Sequence, residues 1–193
     1  MNMKYNIMVN YGQSLVGHEN LIKIKNLLNS VSHLDGDVCE VGVYRGGTAK
    51  VISENVKNCE VFLFDTFDGM PYYDSENDKT WTVGTFNETD YDMVSKLFES
   101  NPDVKIYKGI FPSETAHHID GKMFKFVHLD VDNYQPYKEC LEFFYDKMVP
   151  GGIILFDDYD HSCCPGSNKA IDEFFSDKPE NIQKNISVYI VKL

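Results

Sequence analysis

Four strand-like apolar runs of this chain each end in one or two carboxylates, and that repetition predicts where the chemistry lies. The acids that end them are Glu40, Asp65, Asp130 and the Asp157–Asp158 pair. In an open parallel sheet, ligands bind in the crevice outside the carboxyl ends of the strands. We therefore expect these acids to share one site that binds a cation, a ribose or both.

The acids of the last two runs favour a metal site. On neighbouring strands, Asp130, Asp157 and Asp158 would lie close together, and like charges at short range are costly unless a proton or a cation intervenes. Oxygen ligands without a paired His/Cys set favour Mg²⁺, Mn²⁺ or Ca²⁺ over zinc. The alternative is that Asp157 caps a loop and Asp158 is solvated. Asp132 is ranked below Asp130, because it is expected either to point to the opposite side of the strand or to begin the next turn.

The acids of the first two runs flank a glycine-rich loop. Residues 40–48 contain three glycines but match neither the dinucleotide fingerprint nor a phosphate-binding loop with its lysine. Glycines allow backbone amides to approach a ligand closely, and Thr48 is predicted to be the N-cap of the next helix. Asp65 ends the second strand, where nucleoside-binding sheets place the acid that accepts ribose hydroxyls. This arrangement favours nucleoside binding over a purely structural turn.

The histidines are interpreted as structural. His117, His118 and His128 have no acidic or cysteine partner at ligand spacing, and His161 is interpreted as an exposed residue rather than a base. A long irregular stretch, residues 66–90, contains the only tryptophan, Trp81. Loops of this length are usually functional or disordered, so Trp81 either covers a ligand or pins the loop to the body of the domain.

Alternating strand and helix patterns must position these groups. Strand patterns cover residues 38–43, 61–64, 104–107, 125–129, 153–156 and 187–191, and helix patterns cover 20–31, 48–56, 91–98, 137–148 and 168–175. This alternation, with near-continuous apolar strands, predicts a single-domain α/β fold. Its doubly wound, mostly parallel sheet would carry helices on both faces.

Composition excludes several classes of partner. The net charge of -12 over 193 residues argues against binding to a nucleic acid or an anionic membrane. Five cysteines, odd in number and without a C-x-x-C pair, indicate reduced thiols. With no stretch that approaches a membrane span or a signal peptide, we expect a cytoplasmic protein.

A series of short motifs occurs in order along the chain. The motifs are EVGVYRGG at 40–47, FDTFDGMP at 64–71, KGIFP at 108–112, LDVDNY at 129–134, PGG at 150–152, FDDY at 156–159, CPG at 164–166 and AIDEFF at 170–175. Together they resemble the macrocin O-methyltransferase family, the metal-dependent sugar methyltransferases of macrolide and aminocoumarin biosynthesis. The resemblance extends from about residue 36 to the C-terminus. It implies a Rossmann-like class I methyltransferase fold that uses S-adenosylmethionine.

The resemblance also implies roles for individual residues. Those assigned to the cosubstrate are Glu40, Gly42, Tyr44, Gly46 and Thr48 at the methionine half, Asp65 at the ribose, and Gly109 and Phe111 near the adenine. Asp130, Asp157 and Asp158 match the magnesium ligands, and Asp130 is also the candidate catalytic base. Tyr44 stands where the family commonly has tryptophan, and the N-terminal region is shorter than in the antibiotic enzymes. The resemblance therefore supports the chemistry more firmly than the sugar.

We predict an S-adenosylmethionine- and Mg²⁺-dependent O-methyltransferase that acts on a hydroxyl of a sugar or similar vicinal diol. Residues 1–35 would form an N-terminal helical or lid segment, residues 36–193 the methyltransferase domain, and a homo-oligomer is left open. Two alternatives remain. One is a catalytically silent nucleoside-binding or scaffold module, and the other, disfavoured by the missing fingerprint, is an NAD-dependent oxidoreductase.

Overall fold

Seven strands form one mixed sheet in the computed structural model, which describes residues 15–184 and 187–193. The strands are β1 (Asp37–Val41), β2 (Val61–Asp65), β3 (Val104–Lys108), β4 (Phe124–Leu129), β5 (Met148–Phe156), β6 (Gln183–Lys184) and β7 (Val188–Val191). Their order is β3-β2-β1-β4-β5-β7-β6. The first five are parallel, and β7 pairs antiparallel with both β5 and β6. This topology confirms the predicted fold, to which the short β6 is an addition.

Helices cover both faces of the sheet. They are α1 (His18–Ser30), α2 (Gly47–Glu54), α3 (Tyr91–Leu97), α4 (Tyr134–Phe144) and α5 (Pro165–Phe175), with 3-10 turns at Ala116–Ile119 and Tyr145–Lys147. Consecutive residues of β4 point to opposite faces. Phe126 packs in the core shared with α1, α2 and α3, and Val127 packs in the core shared with α4 and α5. Within the described part of the chain, none of these helices has the length and apolarity needed to cross a membrane.

The N-terminal segment lies only partly within the described residues. Residues 1–14 of the predicted lid fall outside them. From His18 onward the chain forms α1, whose Leu21, Ile24 and Leu28 are buried in the same hydrophobic core as the β1 residue Val38. This helix therefore packs directly on the sheet that carries the predicted site.

Several helix boundaries predicted from the sequence are wrong. The helix predicted at 137–148 ends at Phe144, and Met148 already belongs to β5, where it pairs with Phe124 of β4. Helical spacing of the apolar residues continues past the true end, so the pattern hides the change of element. Likewise, α2 begins at Gly47 with Gly46 as its N-cap in the left-handed conformation, so Thr48 is not the cap.

A close backbone contact joins the glycine loop to the end of β4. Gly42 has a φ of +89°, and a Cβ atom there would lie 1.8 Å from the carbonyl oxygen of Asp130. Any side chain would force these two segments apart. The absence of a side chain at Gly42 therefore lets the loop meet the strand end that carries Asp130.

Candidate active site

A cavity of about 270 Å³ lies at the carboxyl ends of the central strands. Strand ends and the loops that follow them form its wall, as expected for a parallel sheet. The predicted site residues that line it are Gly42, Tyr44, Thr48, Asp65, Gly109, Phe111, Asp130, Asp157 and Asp158. Glu40 and Gly46 are not among the lining residues.

Asp65 holds the glycine loop in place. Its Oδ2 accepts hydrogen bonds from the backbone N–H groups of Val43 (2.7 Å) and Tyr44 (2.8 Å), and its Oδ1 accepts one from the N–H of Phe67 (2.7 Å). A carboxylate offers about four acceptor positions, so room remains for one ribose hydroxyl. Asp65 thus shapes the loop in addition to its predicted role at the ribose.

Gly46 and Glu40 face away from the cavity. A Cβ atom at Gly46 would lie 3.0 Å from Leu97 of α3, so this glycine permits helix packing. Glu40 is fully buried, and its Oε1 lies 2.9 Å from Nδ1 of His128 on the neighbouring strand. The interpretation of His128 as lacking an acidic partner is wrong, because the side chain lies between Glu40 and Asp157. Burial lowers the pKa of His128, but its contacts with Asp157 and Glu40 outweigh that effect and raise it to about 9.

Asp130, Asp157 and Asp158 converge as predicted. Each offers an oxygen, and these three atoms all lie within 4.8 Å of one another. Tyr137 Oη–H and the N–H of Asp132 donate to Oδ2 of Asp158, at 2.8 and 2.9 Å. Burial, followed by the charge of Asp157, raises the pKa of both Asp130 and Asp158. The cluster therefore has too little positive charge around it.

Asp132 joins this cluster from the next turn. The expectation that Asp132 points to the opposite side of the strand is wrong, because residues two apart on a strand share a side. Strand β4 ends at Leu129, and the φ of +59° at Asp132 turns the chain toward the cavity that it lines. The thiol of Cys164 donates to Oδ1 of Asp132 at 3.4 Å. His161 is exposed, as expected, and lines the same cavity. A positive φ at a non-glycine residue leaves no clear pattern in the sequence, so the turn that brings Asp132 to the cavity could not be predicted.

The loop after β2 forms one wall of the cavity. Trp81 lines the cavity, and its indole N–H donates to Sγ of Cys164 at 3.3 Å. The side-chain amide of Asn133 donates to the carbonyl oxygens of Tyr72 (2.9 Å) and Trp81 (2.8 Å). Trp81 is therefore pinned to the body of the domain, as one of the two interpretations predicted, and it also lines the cavity.

A sequence model of the macrocin-O-methyltransferase (TylF) family matches residues 8–189 of the chain. The chain belongs to this family. Membership confirms the predicted class of enzyme, an S-adenosylmethionine-dependent O-methyltransferase with a small-molecule acceptor.

Macrocin-O-methyltransferase relatives of known activity match most of the chain. Mycinamicin III 3''-O-methyltransferase of Micromonospora griseorubida is 25% identical over 180 residues, 83% of this chain and 69% of that protein. Demethyldecarbamoylnovobiocin O-methyltransferase of Streptomyces niveus is 24% identical over 178 residues, 83% of this chain and 67% of that protein. The solved structure of the O-methyltransferase NovP superposes with a TM-score of 0.78 at 21% identity, covering 96% of this chain and 87% of that one. The structural likeness supports the fold.

The raised pKa values of this macrocin-O-methyltransferase's acids predict a pH-dependent stability. Folded Asp130 and Asp158 keep protons that the unfolded chain releases above about pH 4. In EDTA, the free energy of unfolding should therefore decrease as the pH rises from about 5 to about 8. Asp130→Asn removes one of these acids and should make the decrease shallower.

Urea denaturation at constant ionic strength measures this dependence. Asp146→Asn, at an exposed position, is the control and should keep the slope of the wild-type protein. An Asp130→Asn slope equal to that of the wild-type protein would contradict the assignment of uncompensated charge to this cluster.

Proposed function

We propose that the protein methylates a hydroxyl of a sugar or similar vicinal diol, using a divalent cation such as Mg²⁺ bound by Asp130, Asp157 and Asp158. The observation that carries this proposal is the convergence of these three carboxylates in one cavity with the glycine loop. The contact between Gly42 and the backbone of Asp130 brings the predicted cosubstrate loop to the acid cluster. A methyl donor on the loop and an acceptor at the acids would therefore be neighbours.

The donor set fits a hard cation. All three groups are carboxylates, which suit Mg²⁺, Mn²⁺ or Ca²⁺, and their raised pKa values show the cost of leaving the charges uncompensated. No lysine or arginine is found among the cavity-lining residues that the structure describes. A bound divalent cation would supply that charge, lower the pKa of the acceptor hydroxyl and fix its orientation.

The residues that line the cavity would then have separate roles. Asp65 and the loop from Gly42 to Thr48 would hold the cosubstrate, and Gly109 and Phe111 would border its adenine. Asp130 would accept the proton of the acceptor hydroxyl as general base. As the new O–C bond forms, the bond from sulfur to the methyl carbon breaks, and its electron pair returns to sulfur to give S-adenosylhomocysteine.

The charge of the cavity favours an acceptor without phosphate groups. Five aspartates line the space, Asp65, Asp130, Asp132, Asp157 and Asp158, without a lysine or arginine among the described lining residues. A diphosphate would meet like charges there, which is costly. Tyr72, Trp81 and Phe86 supply aromatic faces in the same wall. The names of the relatives from Micromonospora and Streptomyces describe methylation of antibiotics, which is consistent with a glycoside acceptor.

Removal of the cation or of its ligands should abolish turnover. Excess EDTA, Asp157→Asn or Asp158→Asn should each lower kcat/KM by roughly 100-fold or more, because cation catalysis contributes several kcal/mol. Calorimetry should show that S-adenosylmethionine still binds each variant. Release of S-adenosylhomocysteine reports the activity, and Asp160→Asn, at an exposed position on the same loop, is the matched control. Full turnover in EDTA would exclude the metal from the reaction.

A matched pair of acceptors tests the charge argument. At saturating Mg²⁺, a neutral methyl glycoside with a free vicinal diol should be methylated with a kcat/KM at least roughly 10-fold above that of the same sugar as its nucleoside diphosphate. The corresponding monodeoxy glycoside lacks the diol and serves as the negative control. A preference for the nucleotide sugar would contradict the proposed acceptor class.

A further inference from the structure

Two buried polar atoms in one contact pair are left without hydrogen-bond partners. Oε2 of Glu40 and Nε2 of His128 both belong to fully buried side chains, and neither has a partner among the described residues. A buried donor or acceptor without a partner destabilises the folded state, so the pair requires an explanation. Their position beside the acid cluster provides one.

Three neighbouring strands place Glu40, His128 and Asp157 side by side. Glu40 of β1 is directly opposite His128 of β4, which is opposite Leu155 of β5. Asp157 is two residues beyond Leu155 and points to the same side by alternation. Glu40 fixes one edge of the imidazole through Nδ1 at 2.9 Å, and this turns Nε2 toward Oδ1 of Asp157 at 3.7 Å.

The two adjacent acids of the cluster are held differently. Asp158 accepts hydrogen bonds from Tyr137 and from the backbone of Asp132. Within the part of the chain that the structure describes, the one ion-pair partner of the Asp157 carboxylate is His128. An N–H at Nε2 is the arrangement that avoids setting a nitrogen lone pair against a carboxylate oxygen. A small rotation of the carboxylate would bring the 3.7 Å separation within hydrogen-bond distance.

We infer that His128, held by Glu40, is a positioning residue that orients the carboxylate of Asp157 toward the cation shared with Asp130 and Asp158. This inference rests on the proposed metal site and adds two residues to it, neither of which touches the cavity. Partners that orient metal ligands in this way typically contribute 10–100-fold to metal affinity. Glu40, predicted as a cosubstrate residue, would act on the metal side through His128.

Two substitutions at His128 separate the contacts of its two nitrogens. His128→Asn retains an amide near the position of Nδ1 and loses the reach to Asp157. His128→Gln places an amide near the position of Nε2 and retains a donor toward Asp157. We expect His128→Asn to weaken Mn²⁺ binding by about 10–100-fold, and His128→Gln to restore most of that affinity.

Mn²⁺ titration followed by electron paramagnetic resonance measures the affinity directly, without turnover. For both variants, calorimetry with S-adenosylmethionine shows whether the cosubstrate still binds. Thermal denaturation in EDTA shows whether the fold is retained. Equal losses of Mn²⁺ affinity in both variants, or no loss in either, would overturn the inference while leaving the metal site intact. A wild-type protein that binds no Mn²⁺ would overturn the proposed metal function together with this inference.

Discussion

The mutual repulsion of carboxylates at the carboxyl ends of β4 and β5 is the constraint on which the site depends. Asp130, Asp157 and Asp158 bring oxygens within 4.8 Å of one another, and Asp132 lines the same cavity. Burial raises the pKa of Asp130 and Asp158, and neighbouring charges raise it further. Beside a glycine loop, and in a chain of the macrocin-O-methyltransferase family, this cluster carries the proposed divalent-cation site.

The fold brings these groups together through the order of the strands and through the glycine at position 42. Because β4 lies between β1 and β5, the acid at its end has the glycine loop on one side and Asp157 and Asp158 on the other. Gly42 allows the loop to touch the backbone of Asp130. Tyr137 of α4, on the face of the sheet opposite α2, donates a hydrogen bond to Asp158. The proposed donor and acceptor subsites therefore meet at the ends of three adjacent strands, β1, β4 and β5.

Much of this arrangement follows from the sequence, for a clear reason. Continuous apolar runs identify buried parallel strands, and an acid after such a run must lie at the carboxyl edge. What the sequence could not supply was register and local backbone conformation. Glu40 and His128 are 88 residues apart, and only the pairing of β1 with β4 sets them opposite each other. Asp132 reaches the cavity through a positive φ, which cannot be predicted from the presence of an aspartate in the sequence.

The central claim is that the three carboxylates bind one divalent cation. Diffraction from crystals soaked in Mn²⁺, measured at a wavelength where manganese scatters anomalously, tests it without reference to turnover or acceptor. The account predicts a single strong anomalous peak at coordination distance from Asp130, Asp157 and Asp158. A cavity without a peak, or a peak held instead by Asp132 and Cys164, would contradict it.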